Sequence, residues 1–372
     1  MKKQTFPVLQ IKKYLREKGF TIIKKKQNVK EGSNLGSISR TILSSLVIIS
    51  FFSIMPLIIN LTKERVNFSK GLENNSKNKL NILLEKRDLK IDGALDQKYL
   101  FEDILIFDDQ PVDTVRLSAA TIQELFISTN YDLKDVRKNK LVKPISLTLL
   151  PQEMIKIENI KKRKDLFIQI ILPLIINENN NIRLDRKKLF SILNKSKNTK
   201  LEKAWLNSKF KKYGVVNKDL STLKIRMDEV PISLAIAQAA KETGWGTSRF
   251  AQEGNALFGQ WTWSGEGIKP KRADNDSTHK VMKFKVLQAS VKAYQRNLNT
   301  HSSYKYFRSA RAELRSKKKK LDSIILTQYL DKYAENGKEY VKILQQIIRQ
   351  NSLTDFDDAK LLPSSIDLES LI

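Results

Sequence analysis

The amino-acid sequence predicts a mainly α-helical protein with a small β element, and three observations carry that prediction. From Ile155 onward apolar residues recur at helical spacing, as at Leu166, Phe167, Ile170, Ile171 and Leu174. A loop rich in Gly and Trp follows Gly254 and runs to the short extended segment VMKFKV. Far ahead of both, residues 41–61 form a run without a single charge.

That uncharged run, TILSSLVIISFFSIMPLIINL, predicts a transmembrane helix. As a helix it spans about 31 Å, close to the hydrocarbon thickness of a bilayer. Residues 1–40 hold eleven Lys or Arg against Glu17 and Glu31. By the positive-inside rule this basic tail stays in the cytoplasm and the chain after Lys63 is exported. A cleaved signal peptide would have a shorter apolar region and a small-residue cleavage site, whereas no Ala occurs before Ala94. The expectation is a single-pass protein of the inner (cytoplasmic) membrane with its larger part in the periplasm or outside.

The rest of the chain divides by composition. Residues 62–97 are rich in Asn, Lys and Ser and read as a linker. Residues 98–150 look like a small mixed segment, with β-rich stretches in KYLFEDILIF and LVKPISLTLLP. Residues 151–362 carry the helical pattern, and 363–372 form a tail. Within the helical part Pro173 should bend its helix. Amphipathic helices are expected over 183–194, 201–213, 288–299, 303–317, 321–333 and 339–350.

The 372 residues include 68 Lys or Arg and 40 Asp or Glu, a net charge of +28. Such a balance suits a polyanionic partner. A general preference for Lys, Asn and Ile produces the same balance, and composition alone does not separate the two. Export would remove nucleic acid as a partner and leave the membrane and the carboxylate-bearing wall. Cys is absent, so disulfide and thiol chemistry are excluded. Only His279 and His301 are present, which makes a His-based metal site unexpected, and no cofactor is implied.

The chemistry concentrates in residues 228–261, DEVPISLAIAQAAKETGWGTSRFAQEGNALFGQW. Pro231 suits a first helical turn, and Gly244 a left-handed C-cap. Ala235, Gln238, Ala239 and Glu242 fall on one face, and an Ala-rich face lets helices pack closely. Glu242 then sits on the last turn, where the helix dipole disfavours its charge. Desolvation by Trp245 and Phe250 would act in the same direction. Both effects raise the carboxyl pKa, as a general acid requires. Downstream, Phe258, Trp261 and Trp263 stand among several glycines. Aromatic faces of this kind stack on sugar rings, or else cap a core.

At this point AQAAKETGWGTSRFAQEGNALFGQW resembles the glucosaminidase module of bacterial wall hydrolases, specifically its Bax branch. The similarity extends in order over RKDLFIQIILPLIINENNNI, SVKAYQRNLNTHSSYKYFRSARAELR and YVKILQQIIRQNSL. It covers roughly residues 144–362. The resemblance implies a lysozyme-like α+β catalytic domain that hydrolyses peptidoglycan glycan strands beside N-acetylglucosamine, an endo-β-N-acetylglucosaminidase type of activity. It places the acid on Glu242. It matches Asn255, Phe258 and Gly259 to the segment that shapes the cleft floor, and Tyr294 and Tyr304 to aromatic positions that line the cleft. Trp245, Gln260 and Trp261, from the aromatic and Gly-rich loop itself, complete the expected substrate contacts.

A second carboxylate is less clearly marked. Glu266, Asp274 and Asp276 are candidates in GEGIKPKRADNDSTHKVMKF, and none sits in a convincing motif. A retaining pair needs about 5–5.5 Å between carboxyls, an inverting pair about 6.5–9.5 Å, and a substrate-assisted reaction needs no second carboxylate. His279, in the same loop, could position a water or a sugar hydroxyl, or be an ordinary polar loop residue. The sequence therefore supports two functions of different class: a membrane-anchored glycosidase, and an inactive wall-binding tether of the same fold.

The topology has its own test. Protease added to spheroplasts should digest the bulk of the chain while the protein stays with the membrane. Full protection would reverse the orientation, and a soluble mature form would mean cleavage.

Overall fold

A computed structural model describes residues 114–262, 267–270 and 280–363. The basic tail, the apolar run 41–61, the linker and most of the C-terminal tail lie outside the described residues. So do the first part of segment 98–150 and Glu266, Asp274, Asp276 and His279. Helix makes up 62% and strand 5% of the chain so described, which settles the class as mainly α. Among the described residues no helix is long and apolar enough to cross a membrane.

The elements begin with α1 (Ala119–Ser128) and α2 (Leu133–Asn139), each started by a side-chain cap, Ser118 and Asp132 respectively. β1 (Leu141–Val142) follows and pairs in parallel with β5 (Lys360–Leu361) near the end of the chain. The expected β character of 98–150 thus shrinks, within the described residues, to two residues between helices. Nor does this stretch stand apart. Ile122, Phe126 and Val136 belong to the same buried core as the helices beyond residue 160.

α3 (Ile160–Leu193) is a single helix of 34 residues, which takes in the helix expected separately over 183–194. Pro173 lies inside it and cannot donate to the carbonyl of Gln169. The Tyr131 hydroxyl takes that place, donating to Gln169 O at 3.1 Å, and Gln169 Nε2 returns a bond to Tyr131 O at 2.8 Å. A side chain from another segment thereby satisfies the carbonyl that proline leaves open. The far end of α3, with α4 (Lys200–Lys212) and α5 (Leu220–Arg226), encloses a small core of its own around Phe210, Tyr213 and Leu223.

α6 (Ile232–Thr243) is the centre of the molecule. Ten of its twelve residues are buried, including Ala235, Ala237, Ala239 and Ala240. A helix apolar all round must be covered on every side. The cover comes from α3, α10 (Ser323–Thr327), α11 (Gly337–Gln350) and a 3₁₀ turn at Leu353–Phe356. The helix expected over 321–333 is only the five residues of α10, so Tyr333 stands in a loop.

After α7 (Arg249–Gly254) come β2 (Trp261–Thr262), β3 (Gly267–Ile268) and β4 (Lys280–Met282), then α8 (Leu287–Thr300) and α9 (Lys305–Ser316). The three strands form an antiparallel sheet with β4 in the centre. Trp261 pairs with Val281, and Ile268 pairs with Val281 from the other side. Met282 and Phe284 pack this sheet onto Ala289 and Ala293 of α8.

The entry to α6 is held by buried charge. Asp228 receives Arg315 at 3.1 Å and has Arg311 and Arg186 each at 3.8 Å. Arg311 also donates to the carbonyls of Asp228, Glu229 and Ile225 and to Asn299 Oδ1. Burial by itself would raise the pKa of Asp228, but Arg311, Arg186 and Arg315 together outweigh it and hold the carboxyl below its ordinary range. A depressed pKa means the contribution is complete above the ordinary Asp range and is lost as pH falls through the folded value. Asp228→Asn should cost about 3–5 kcal/mol, the usual cost of breaking a buried pair, because Arg311 stays buried without its counter-charge. Chemical denaturation at neutral pH measures it. A loss below about 1 kcal/mol, the range of an exposed pair, would mean the cluster is not a clamp.

Candidate active site

The C-terminal end of α6 opens into a cleft of about 450 Å³. One wall is the sheet side, with Trp261, Val281 and Met282, and the other carries Asn297, His301, Tyr304 and Tyr333. Glu242 stands between them. Among the described residues that line the cleft, Glu242 is the only carboxylate.

The chain reverses sharply just after the acid. Gly244 caps α6 in the left-handed conformation expected of it, and Trp245 and Gly246 also have positive φ, +62° and +84°. For Trp245 such a backbone is strained. The Thr243 hydroxyl steadies the turn by accepting from Gly246 N at 2.9 Å while donating to Ala239 O. This reversal sends the Trp245 ring against Phe167 of α3, edge to face with centroids 6.0 Å apart, with Lys164 over its other face. Trp245 therefore packs on the core and is not part of the cleft surface.

Burial is the main cause that raises the pKa of Glu242. A hydrogen bond from Tyr340 and the nearby Lys241 act the other way and are outweighed. Behind that hydrogen bond runs a buried relay. The Tyr294 hydroxyl donates to Gln238 Oε1 at 2.7 Å, and Gln238 Nε2 donates to the Tyr340 oxygen at 3.0 Å. Because the Tyr340 oxygen already accepts, its own proton is free for Glu242. Gln238 lies one helical turn before Glu242 on α6, so the helix that carries the acid also carries the group that aims its partner.

Most of the other residues expected at the site surround Glu242, at different depths. Gly259 lines the cleft with φ +61°, and a Cβ there would lie 3.1 Å from Glu242 Oε2. Phe258 lines it too, stacked at 3.8 Å on Tyr294, which is fully buried beneath. Gln260 and Trp261 line it, the latter 44% exposed at the rim. Tyr304 lines the opposite wall, and burial pushes its hydroxyl pKa up to about 12. Asn255 is not on the surface. It is buried, ends α7 in a left-handed conformation and donates to Phe284 O at 2.9 Å and Lys285 O at 3.1 Å. In this way it ties the loop to the chain that follows β4.

Several cleft residues carry no mark in the sequence. Tyr333, from the loop after α10, donates to Phe258 O at 2.8 Å and stacks on Tyr340 at 5.5 Å. His301 accepts from Ser303 N through Nδ1 at 3.2 Å, and burial, aided by Arg308, lowers its pKa. The ring is therefore neutral near pH 7, with its proton on Nε2. Gln238 alone had a signal, its place on the Glu242 face. Among the described residues no group of His, Asp or Glu is arranged to hold a metal ion.

Known proteins share this stretch of chain. The family model described as mannosyl-glycoprotein endo-beta-N-acetylglucosaminidase matches residues 221–353. "Protein bax" of Escherichia coli (strain K12) is 32% identical over 196 residues, which cover 51% of this chain and 70% of that protein. No solved structure matches the chain.

The burial of Glu242 has a measurable consequence for stability. A raised folded pKa contributes stability that is present below the unfolded value and is lost as pH rises through the folded one. Glu242→Gln should therefore raise the melting temperature at pH 7. The gain should vanish below the ordinary Glu value of 4.5. A variant less stable than the parent at pH 7 would show that burial does not dominate.

Proposed function

The chain belongs to the Bax-like bacterial glucosaminidases, and from that membership we propose that it cuts the glycan strands of peptidoglycan beside N-acetylglucosamine, with Glu242 as general acid. One observation carries the reading: a carboxyl of raised pKa stands alone among the described walls of an aromatic cleft.

Breaking a glycosidic bond needs a proton on the departing oxygen as positive charge develops on the sugar ring. A carboxyl whose pKa is raised by burial is suited to supply it. The hydrogen bond from Tyr340 engages Glu242 from the buried side, and Glu242 itself lines the cleft where a glycosidic oxygen would lie. After the proton has left, Tyr340 and Lys241 favour the carboxylate that remains. Trp261, exposed at the rim, offers its face to a sugar ring, and Tyr304 offers a hydroxyl that stays protonated at every physiological pH.

The second group is supplied in one of two ways. Glu266, Asp274 or Asp276 brings a carboxylate, or the substrate's own N-acetyl oxygen attacks the sugar carbon. In the proposed setting a helix over residues 41–61 holds the protein in the inner membrane, with the enzyme facing the wall. The reading extends to a lysozyme-like arrangement of the domain, with the three-stranded sheet as its β lobe.

Glu242→Gln keeps the size of the side chain and cannot donate an acidic proton. Its rate on purified glycan strands should fall by about 10²–10⁴-fold, the usual worth of general acid catalysis. Circular dichroism and wall binding should be unchanged. Mass spectrometry of the products reports the new reducing end. Glu266→Gln, Asp274→Asn and Asp276→Asn should lose less if the N-acetyl group assists, and one should lose as much if the protein supplies the carboxylate. A folded Glu242→Gln variant cutting at the parental rate would refute the acid. A parent protein that binds glycan strands without cutting them would make the chain a tether.

A further inference from the structure

Residues 183–226 form the lobe built from the end of α3, α4 and α5 around Phe210, Tyr213 and Leu223. No part of this lobe lines the cleft. Its sequence holds fourteen Lys or Arg against Asp185, Glu202 and Asp219, a net charge of +11. Ten of the cations are exposed and none of the three carboxylates is. Each carboxylate is already engaged: Asp185 pairs with Lys209, Glu202 closes the α4 capping box, and Asp219 caps α5. The outer surface of the lobe is therefore cationic almost without relief.

Exposed apolar side chains stand among these cations. Leu184 is 66% exposed, Leu201 83% and Val216 70%, with Phe190 and Leu220 at the exposed edge as well. Single exposed leucines are ordinary, but Leu184 and Leu201 are linked. Leu201 and Trp205 lie one turn apart on α4, and Leu184 and Lys188 lie one turn apart on α3. Lys188 and Lys209 sit over the Trp205 ring at 5.0 and 5.2 Å, which joins the two pairs into one strip. On α3 and α5, Arg186 and Lys224 likewise flank Phe190.

We propose that this lobe is a docking surface for an anionic lipid bilayer. A wall polymer rich in carboxylates would account for the cations and leave the exposed Leu and Val without a role. A bilayer surface accounts for both. Lys and Arg meet lipid phosphates, while Leu, Val and Trp enter the boundary between headgroups and acyl chains. Trp205, partly buried with cations on its ring, has the amphipathic character that places Trp at such boundaries. The inference does not depend on the catalytic reading.

The absence of Cys makes the test clean. The full chain carrying Leu201→Cys takes a single environment-sensitive fluorophore and is reconstituted into phosphatidylglycerol vesicles or phosphatidylcholine vesicles. A second version carries Ile325→Cys, an exposed position on α10 outside the lobe. The label at 201 should shift to the blue and be quenched by bromine-bearing lipids in phosphatidylglycerol. In phosphatidylcholine it should show neither effect, and the label at 325 should stay unquenched in both. Adding Lys187→Glu, Lys200→Glu and Lys203→Glu should abolish the quenching at 201. Should that triple variant misfold by circular dichroism, raising the salt to about 0.5 M, where screening acts within a few ångströms, gives the same loss. An unquenched label at 201 in phosphatidylglycerol overturns the proposal. So does equal quenching in both lipids, or equal quenching at 201 and 325. A blue shift at 201 with purified peptidoglycan and none with vesicles would assign the lobe to the wall instead.

Discussion

The structure depends on one constraint: α6 is buried on nearly every side, so both its ends must be satisfied by the protein. At the entry, Pro231 offers no side-chain cap. Asp357, more than a hundred residues away, fills the role by accepting from Ser233 N and from Ser233 Oγ, each at 2.8 Å. Its carboxyl lies at the positive end of the helix dipole, and the Asp228–arginine cluster fastens the segment just before. At the exit, Gly244 closes the helix in the left-handed conformation, and the Thr243 hydroxyl holds the turn that follows. With both ends fixed, the helix has no freedom to slide. Glu242, on its last turn, inherits that fixity.

From this follows the chemistry at the cleft. A carboxyl in a dry cleft prefers to be neutral, and a hydrogen-bond donor prefers it charged. Both act on Glu242, and burial is the larger. In the proposed reaction each side serves a different moment of proton transfer. Burial favours the protonated form before it, and the Tyr340 hydroxyl, with Gln238 and Tyr294 behind it, favours the carboxylate afterwards. A stronger donor, such as an arginine, would win the contest and leave the group ionised at rest. Three arginines, Arg186, Arg311 and Arg315, are instead gathered near the other end of α6, around Asp228.

What was legible in the sequence followed from local rules. The boundaries of α6, its Gly cap, the shared face of Gln238 and Glu242, and the Trp and Gly of the loop are all set within about thirty residues. The family resemblance starts from the same stretch and extends in order over roughly residues 144–362. What was not legible depends on partners distant in the chain. Nothing near Tyr340 announces that its hydroxyl reaches a carboxyl 98 positions earlier. Trp245 misled because periodicity says nothing of a backbone with positive φ, which turned the ring onto Phe167. The helix expected over 321–333 was cut short by tertiary contacts, since Tyr333 is drawn to Phe258 O and Tyr340. In LVKPISLTLLP the apolar residues that suggested strands form the two residues of β1 and a loop packed on the same core.

The distribution of charge completes the argument. The excess of Lys and Arg over Asp and Glu gives the chain a positive potential, which opposes a raised pKa at any carboxyl. That opposition fails for a physical reason. Exposed charges are screened over about 8 Å at physiological ionic strength, whereas desolvation acts at contact and is not screened. Among the described residues the cation that acts on Glu242 is its sequence neighbour Lys241, and it is outweighed. A buried acid can thus sit in a strongly basic protein provided the cations stay on outer surfaces. The lobe of residues 183–226 holds its ten exposed cations in that way, away from the cleft lining, where Lys332 is the one Lys or Arg among the described residues.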